Sequence, residues 1–277
     1  MSKKRKKNKS LKIKSWIIIT ISILLLLFSI LFIFQKQSRY YSRKVYHELL
    51  SLKKKKPVPS SNKTTNLYSG VNVPKGEVFG IDISRHQGEI NWKLLEEFRF
   101  RYNKIDFVYI KATESVDWKD NKFVRNWENS KKHNFIRGAY HFFNPNVSVE
   151  LQMENYFESV KLSKGDLPPM LDVEQESLIS KEEYRNEVLR CLRLMESHYK
   201  MKPILYINQV FYRKYFKTND FKEYSLWISR LKKTEPRQSN WVFWQFSHSA
   251  IVPGISEYVD FNVFNGSLNV LKIIQKK

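Results

Sequence analysis

The sequence predicts an α/β barrel of parallel strands, and three features of the 277-residue chain support this fold class. From residue 78 onward, short apolar runs alternate with helical patterns over about 200 residues, as in parallel α/β proteins. The apolar runs are nearly continuous, which is typical of strands covered on both faces. Acidic residues recur where these runs end. A barrel is favoured over a doubly wound sheet.

Basic residues are concentrated at the N-terminus of the chain. There are 49 Lys and Arg against 27 Asp and Glu, for a formal net charge of +22. Sixteen of the basic residues and one acid, Glu48, fall within residues 1–56, which leaves +7 for the other 221 residues. Because the excess is not a property of the folded part, nucleic-acid binding is not expected. The single cysteine, Cys191, excludes an intramolecular disulfide framework and a cysteine-based zinc finger.

Residues 16–34 form the uncharged apolar run WIIITISILLLLFSILFIF, which predicts a transmembrane helix contacting the lipid bilayer. At a rise of about 1.5 Å per residue the run spans roughly 28 Å, about one hydrocarbon core. Eight Lys and Arg lie in residues 1–15 and four in residues 35–50, so a single-pass membrane protein with a cytoplasmic N-terminus is predicted. The folded part would be periplasmic or extracellular. A cleavable signal peptide is the alternative, although its apolar region is usually shorter and ends at small residues.

A flexible tether is predicted between this run and one folded domain. Lys53–Lys56 are followed by Pro57, Pro59 and a stretch rich in Ser, Asn and Thr, a composition typical of linkers. The predicted division is a cytoplasmic basic tail at 1–15, a transmembrane anchor at 16–34, a juxtamembrane segment and linker at 35–76, and a catalytic barrel domain at 77–277.

Seven strands and five helices are predicted along the domain. The clearest helix start is Ser180, with Glu182 and Glu183 in the first turn. The predicted strands are Val78–Ile83, Ile105–Ala112, Phe135–Phe143, Pro169–Val173, Ile204–Ile207, Leu226–Ile228 and Val242–Phe246. The predicted helices are 92–101, 121–133, 147–162, 180–199 and 208–216.

Four acids stand at or near strand ends: Asp82, Asp172, Glu174 and Asp260. In a parallel barrel such ends converge on one mouth, and a buried carboxylate is costly unless it is paired or functional. Because strand side chains alternate, Asp172 and Glu174 point to one cavity while Val173 packs against helices. The acid in the drier environment takes a raised pKa and can act as a general acid, as glycoside hydrolysis requires. An ordinary acidic helix start is the structural alternative.

Aromatic residues near the same strand ends are candidates for binding a sugar ring. Tyr140 and Tyr206 end predicted strands, and Trp244 lies in a later one. Core packing is the alternative role for each. The histidines are scattered without metal-ligand spacing, so neither a metal nor a cofactor is expected, and His141 is interpreted as a satisfied pocket or core histidine.

Eight segments in order make residues 78–267 resemble the glycoside hydrolase family 25 lysozymes, which are N-acetylmuramidases. They are Gly-Ile-Asp-Ile-Ser-Arg-His-Gln-Gly (80–88), Phe-Val-Tyr-Ile-Lys-Ala-Thr-Glu (107–114), Arg-Gly-Ala-Tyr-His-Phe-Phe (137–143), Met-Leu-Asp-Val-Glu (170–174), Leu-Tyr-Ile-Asn (205–208), Leu-Trp-Ile-Ser (226–229), Trp-Gln-Phe-Ser (244–247) and Val-Asp-Phe-Asn-Val-Phe-Asn-Gly (259–266).

The resemblance implies an irregular β/α barrel with fewer than eight helices. It also implies cleavage of the β-1,4 bond between N-acetylmuramic acid and N-acetylglucosamine in peptidoglycan glycan strands, by an expected monomer. Carried over by position, Glu174 is the proton donor and Asp172 orients the acetamido group of the substrate. Asp82 and Asp260 are the other pocket acids, and Tyr140 and Tyr206 are pocket aromatics.

A retaining, substrate-assisted mechanism is expected, in which the acetamido group attacks its own anomeric carbon. An inverting mechanism is left open by the sequence. A chitinase-like glycosidase and a membrane-anchored peptidoglycan-binding protein without catalysis are the alternative functions.

Overall fold

The computed structural model of the protein describes Thr20 and residues 74–100, 103–232 and 234–277. Its sheet contains the seven predicted strands, with small changes at their ends, and two that were not predicted, β3 and β9. The strands are β1 Val78–Ile83, β2 Ile105–Glu114, β3 Trp118–Lys119, β4 Ile136–Phe142, β5 Met170–Val173, β6 Ile204–Asn208, β7 Ser225–Ser229, β8 Trp241–Ala250 and β9 Val259–Phe264.

The five predicted helices are present, but the first ends at Glu97 instead of residue 101, and the fifth is divided into a short α-helix and a π-helical turn. A helix at the C-terminus was not predicted. The helices are α1 Trp92–Glu97, α2 Phe123–Lys132, α3 Val149–Ser159, α4 Lys181–Tyr199, α5 Gln209–Phe211 and α6 Leu268–Ile273, with a π-helical turn at Tyr212–Phe216 and 3-10 turns at Arg85–Gln87 and Asn219–Phe221. The predicted start of α4 is confirmed, because the Ser180 hydroxyl accepts a hydrogen bond from the Glu183 backbone N–H at 3.1 Å.

Eight of the strands close into a barrel of mixed direction, so the predicted parallel α/β barrel is wrong. Strand β1 pairs with both β2 and β9, which closes the ring, and β3 extends from β2 as a hairpin. Strand β9 runs antiparallel to both of its neighbours, β8 and β1. The reason is the connection: residues 251–258 link β8 to β9 without a helix, whereas a parallel crossover needs a dozen or more residues.

The predicted transmembrane helix and the single-pass localisation inferred from it are also corrected. No helix among the described residues combines the length and apolar character needed to cross a bilayer. Apart from Thr20, the apolar run at 16–34 lies outside the described residues, and so do residues 35–73 of the predicted juxtamembrane segment and linker at 35–76.

Side chains inside the barrel form an aromatic floor below a polar mouth. Phe107, Tyr109, Trp227 and Phe243 are fully buried there, with the Tyr109 and Trp227 ring centroids 4.9 Å apart in an edge-to-face contact. The alternate residues of the same strands face outward and form a second core with the helices. The floor fills the lower interior, so polar side chains further along the strands collect at the carboxyl ends of the parallel strands.

Gly138→Ala is expected to destabilise the fold by about 1–3 kcal/mol, as overpacking of a filled core does. A Cβ at Gly138 would lie far inside contact distance of the Tyr109 ring. This ring cannot easily retreat, because it is buried and its hydroxyl donates to the Pro168 carbonyl at 2.9 Å. Equilibrium urea unfolding measures the change, with Glu128→Ala on the exposed face of α2 as the control. Equal midpoints for Gly138→Ala and the wild type would contradict this account of the floor.

Candidate active site

Three strands bring Asp82, Asp172, Glu174 and Asp260 together, and we call this group the acid mouth. Asp82 on β1 lies directly opposite Asp260 on β9. Asp172 on β5 lies opposite Tyr206 on β6. Glu174 follows the last residue of β5. Electrostatic interactions link all four carboxyl groups, so the structure gathers the four acids singled out in the sequence.

Asp172 is the most enclosed acid of the mouth. It is 8% exposed, and its Oδ1 atom is buried without a hydrogen-bond partner among the described residues. Burial raises the pKa of Asp172 well above its usual value, the negative charge of Glu174 raises it further, and Lys111 opposes both. A buried carboxyl oxygen that lacks a donor is costly, and here it is available to an N–H group of a ligand.

Glu174 lies at the solvent side of the mouth, where its side chain remains exposed. The protein atoms crowded around its carboxyl group still desolvate it and raise its pKa, while a hydrogen bond with Tyr206 opposes the rise. The nearby charge of Asp82 adds to the rise. A carboxyl group that is accessible and keeps its proton to a higher pH than an ordinary Glu can act as a general acid.

Lys111 provides a cation beside the acids that the sequence analysis did not identify. Its Nζ atom lies 2.8 Å from Glu114 Oε2 and 4.5 Å from the centroid of the Phe142 ring. It lowers the pKa of both Asp172 and Glu174. The alternation of side chains along β2 could have revealed Lys111, because positions 107, 109 and 111 share the inner face of the barrel.

The two predicted tyrosines lie inside the barrel, but Trp244 does not. Tyr140 and Tyr206 belong to the inner cluster, and the neighbouring acids help to raise the pKa of both hydroxyls. Trp244 is 1% exposed, packs in the outer core and donates its indole N–H to the Arg230 carbonyl at 2.8 Å. Strand alternation is the reason, since the next residue, Gln245, faces the mouth instead.

His141 is a hydrogen-bonded core histidine behind the mouth, in agreement with the sequence prediction. It is fully buried on β4, with Nδ1 2.7 Å from Thr113 Oγ1 and Nε2 3.3 Å from Gln152 Oε1. Burial lowers the pKa of His141 from 6.5 to about 4. Within the described ranges, no group of three or more His, Cys, Asp or Glu side chains is arranged to hold a metal ion.

His141 is expected to make the fold less stable as the pH falls from about 6.5 toward 4. The unfolded chain binds a proton below about pH 6.5, whereas folded His141 stays neutral down to about pH 4. The stabilisation is therefore complete above pH 6.5, and about 2 kcal/mol of it is lost by pH 5. Urea unfolding at pH 7.5 and 5 of wild type, His141→Gln and the exposed-site control His248→Gln measures this. Equal pH dependence in all three proteins would refute the assignment.

Comparisons with known proteins agree on one family. The family model described as glycosyl hydrolases family 25 matches residues 81–255. The chain is 38% identical over 197 residues to the uncharacterized protein YegX of Escherichia coli O6:H1 strain CFT073, covering 70% of this chain and 72% of that one. It is 30% identical over 206 residues to Lysozyme M1 of Streptomyces globisporus, covering 69% of this chain and 68% of that one. The structure of a family 25 glycosyl hydrolase from Bacillus anthracis matches with a TM-score of 0.66 and 30% identity, covering 74% of this chain and 96% of that one.

Proposed function

The chain belongs to glycosyl hydrolase family 25, and from this membership we propose which residues of the acid mouth carry out its reaction. The protein is a glycoside hydrolase that acts on peptidoglycan, cleaving the β-1,4 bond between N-acetylmuramic acid and N-acetylglucosamine. The observation that carries the assignment is the convergence of four carboxyl groups with raised pKa on one mouth.

Glu174 is the general acid of this proposal. Its side chain is reachable from solvent, and burial by neighbouring protein atoms favours its protonated form. It donates its proton to the glycosidic oxygen as the bond to the anomeric carbon breaks, so the leaving sugar departs as an alcohol. The resulting carboxylate then accepts a proton from the water that completes hydrolysis.

Asp172 positions the acetamido group of the muramic sugar. The Oδ1 atom, buried and without a donor among the described residues, is suited to accept the acetamido N–H. The acetamido oxygen attacks the anomeric carbon. The N–H donor and the positive charge that develops on the ring formed favour the ionised form of Asp172, against the burial that raises its pKa in the free protein, and the resulting carboxylate stabilises that charge. Water opens this ring from the opposite face, so the product retains the β configuration.

The supporting contacts come from the inward tyrosines and from Asp82 and Asp260. Tyr140 and Tyr206 are buried against the aromatic floor with their hydroxyls near the acids. Their rings offer an apolar surface to the C–H face of a sugar. Asp82 and Asp260 hold the sugar from the opposite side of the mouth, where β1 and β9 meet.

Digestion of purified peptidoglycan sacculi by the full chain tests this function. We expect the turbidity of the suspension to fall and soluble glycan fragments to appear. Sacculi that sediment with bound protein and remain intact would indicate binding without catalysis, and release from chitin instead would indicate a chitinase-like glycosidase. Proton NMR of the first product distinguishes a β anomer, expected for retention, from the α anomer of an inverting reaction.

A further inference from the structure

Two amide side chains converge on one oxygen of Asp82. Asn262 Nδ2 donates to Asp82 Oδ2 at 2.8 Å, and Gln245 Nε2 donates to the same oxygen at 3.3 Å. Asn262 is 0% exposed and Gln245 is 5% exposed, so solvent does not compete for these donors. An oxygen that accepts two N–H groups in a water-poor setting is stabilised as a carboxylate.

An indole donor fixes the orientation of the Asn262 amide, and two hydroxyls contact the oxygen of the Gln245 amide. Asn262 Oδ1 accepts from Trp227 Nε1 at 3.2 Å, and an indole nitrogen can only donate, so this amide cannot flip. Gln245 Oε1 accepts from the Ser229 hydroxyl at 2.7 Å and lies 2.9 Å from the Tyr206 hydroxyl oxygen. With its oxygen on this side, Gln245 presents Nε2 to Asp82, as Asn262 presents Nδ2.

The opposing acid, Asp260, lacks this support. It faces Asp82 across the β1–β9 pair and is hydrogen-bonded to it. The hydrogen bonds found among the described residues place no amide donor on Asp260. Two carboxyl groups at hydrogen-bond distance share one proton, because they cannot both ionise easily. The proton belongs on the acid with fewer donors.

We propose that Gln245 and Asn262 are positioning residues that hold Asp82 as the anion of the Asp82–Asp260 pair and leave the shared proton on Asp260. The pair then carries one negative charge at a defined place beside the sugar, and Asp260 donates its O–H to Asp82. Burial and the Asp82 charge, which raise the pKa of Asp260 well above its usual value, agree with this order. The importance of that charge for turnover rests on the proposed function; the position of the proton does not.

Other groups also face the pair, and the assignment includes them. The charge of Glu174 raises the pKa of Asp260. The charges of Asp82 and Asp260 raise the pKa of Asp172, and that of Asp82 raises the pKa of Glu174. Lys111 on β2 is the cation among these groups and acts mainly on the β5 acids. Tyr140 and Tyr206 stay neutral, since burial raises the pKa of both hydroxyls.

Carboxyl ¹³C NMR of the full chain labelled at Asp Cγ tests the proposal, with Asp82→Asn and Asp260→Asn assigning the two signals. In the wild type, the Asp82 carboxyl should ionise at lower pH than that of Asp260. Gln245→Met removes one donor and should move the Asp82 titration up by about one pH unit. Gln245→Glu has nearly the same shape but places a second carboxylate there, and should move it further.

Asn265→Leu is the matched control, because that amide donates to the Trp241 carbonyl at the opposite end of β9, and the Asp82 titration should stay unchanged. The acidic limb of the pH profile of kcat/KM should shift to higher pH in Gln245→Met and further in Gln245→Glu. A purely structural role for Gln245 would lower turnover without shifting this limb. An Asp82 titration unchanged in both Gln245 variants, or an Asp260 that ionises first, would overturn the proposal. Failure to hydrolyse peptidoglycan would sink the proposed function and leave the NMR result interpretable.

Discussion

Glu174→Gln is expected to lower kcat on peptidoglycan by about 10²–10⁴-fold, the usual contribution of a positioned general acid. The amide has the shape of the acid but no proton to give to the glycosidic oxygen. Because the Glu174 side chain is exposed and belongs to neither core cluster, the fold should be retained. Initial rates on sacculi, together with circular dichroism and the thermal midpoint, measure both expectations.

Glu176→Gln is the control for this variant. It makes the same chemical change two residues further on, where the side chain is exposed and paired with Lys214 at 2.7 Å. Its activity should be close to that of the wild type. Near-normal turnover by Glu174→Gln would remove Glu174 from its assigned role, whereas equal losses in both variants would point to damage of the loop after β5.

Asp172→Asn is expected to lower kcat by about 10²–10³-fold, as loss of one electrostatic contact to a developing charge does. The neutral amide can still contact the acetamido group, but it cannot balance the positive charge that forms during its attack. The loss should therefore appear in kcat with little change in KM. Steady-state kinetics on soluble glycan oligomers measure the two constants separately.

Asp220→Asn, at an exposed position of the 3-10 turn after β6, is the matched control and should leave both constants unchanged. An Asp172→Asn enzyme that raises KM and keeps kcat would show that Asp172 binds the ground state and the transition state equally. That outcome would also remove the main support for a substrate-assisted reaction.

The position of the site could be predicted because its acids interrupt apolar strands. Asp172 and Glu174 share a face through strand alternation, and Val173 packs in the outer core as expected. Burial of a carboxylate at a strand end is expensive, so its presence in the sequence carries information even without coordinates. The same reasoning identified Asp82 and Asp260 as candidate site residues.

The direction of β9 could not be predicted in the same way. Its inward residues Asp260 and Asn262 belong to the mouth, so the segment does not form the continuous apolar run by which the other strands were recognised. The strand was therefore missed, and with it the antiparallel closure of the barrel. The very residues that make the strand functional weaken its pattern.

The inward face of β8 was similarly hidden. Both faces of this strand are apolar near the floor, with Phe243 inside and Trp244 outside. Composition does not reveal which face points inward, so the aromatic Trp244 was chosen and the neutral Gln245 was overlooked. Lys111 interrupts the apolar run of β2 on its inner face, but it is a base, and the candidates were chosen among acids and aromatic residues.

Identification of the sugar at the newly formed reducing ends tests the central claim most directly. Sacculi are digested by the full chain and by Glu174→Gln, the products are reduced with borohydride, and mass spectrometry of the hydrolysed fragments identifies the reduced sugar. The account predicts muramitol from the wild type and almost none from Glu174→Gln. Glucosaminitol ends from the wild type, or equal release by the two proteins, would contradict it.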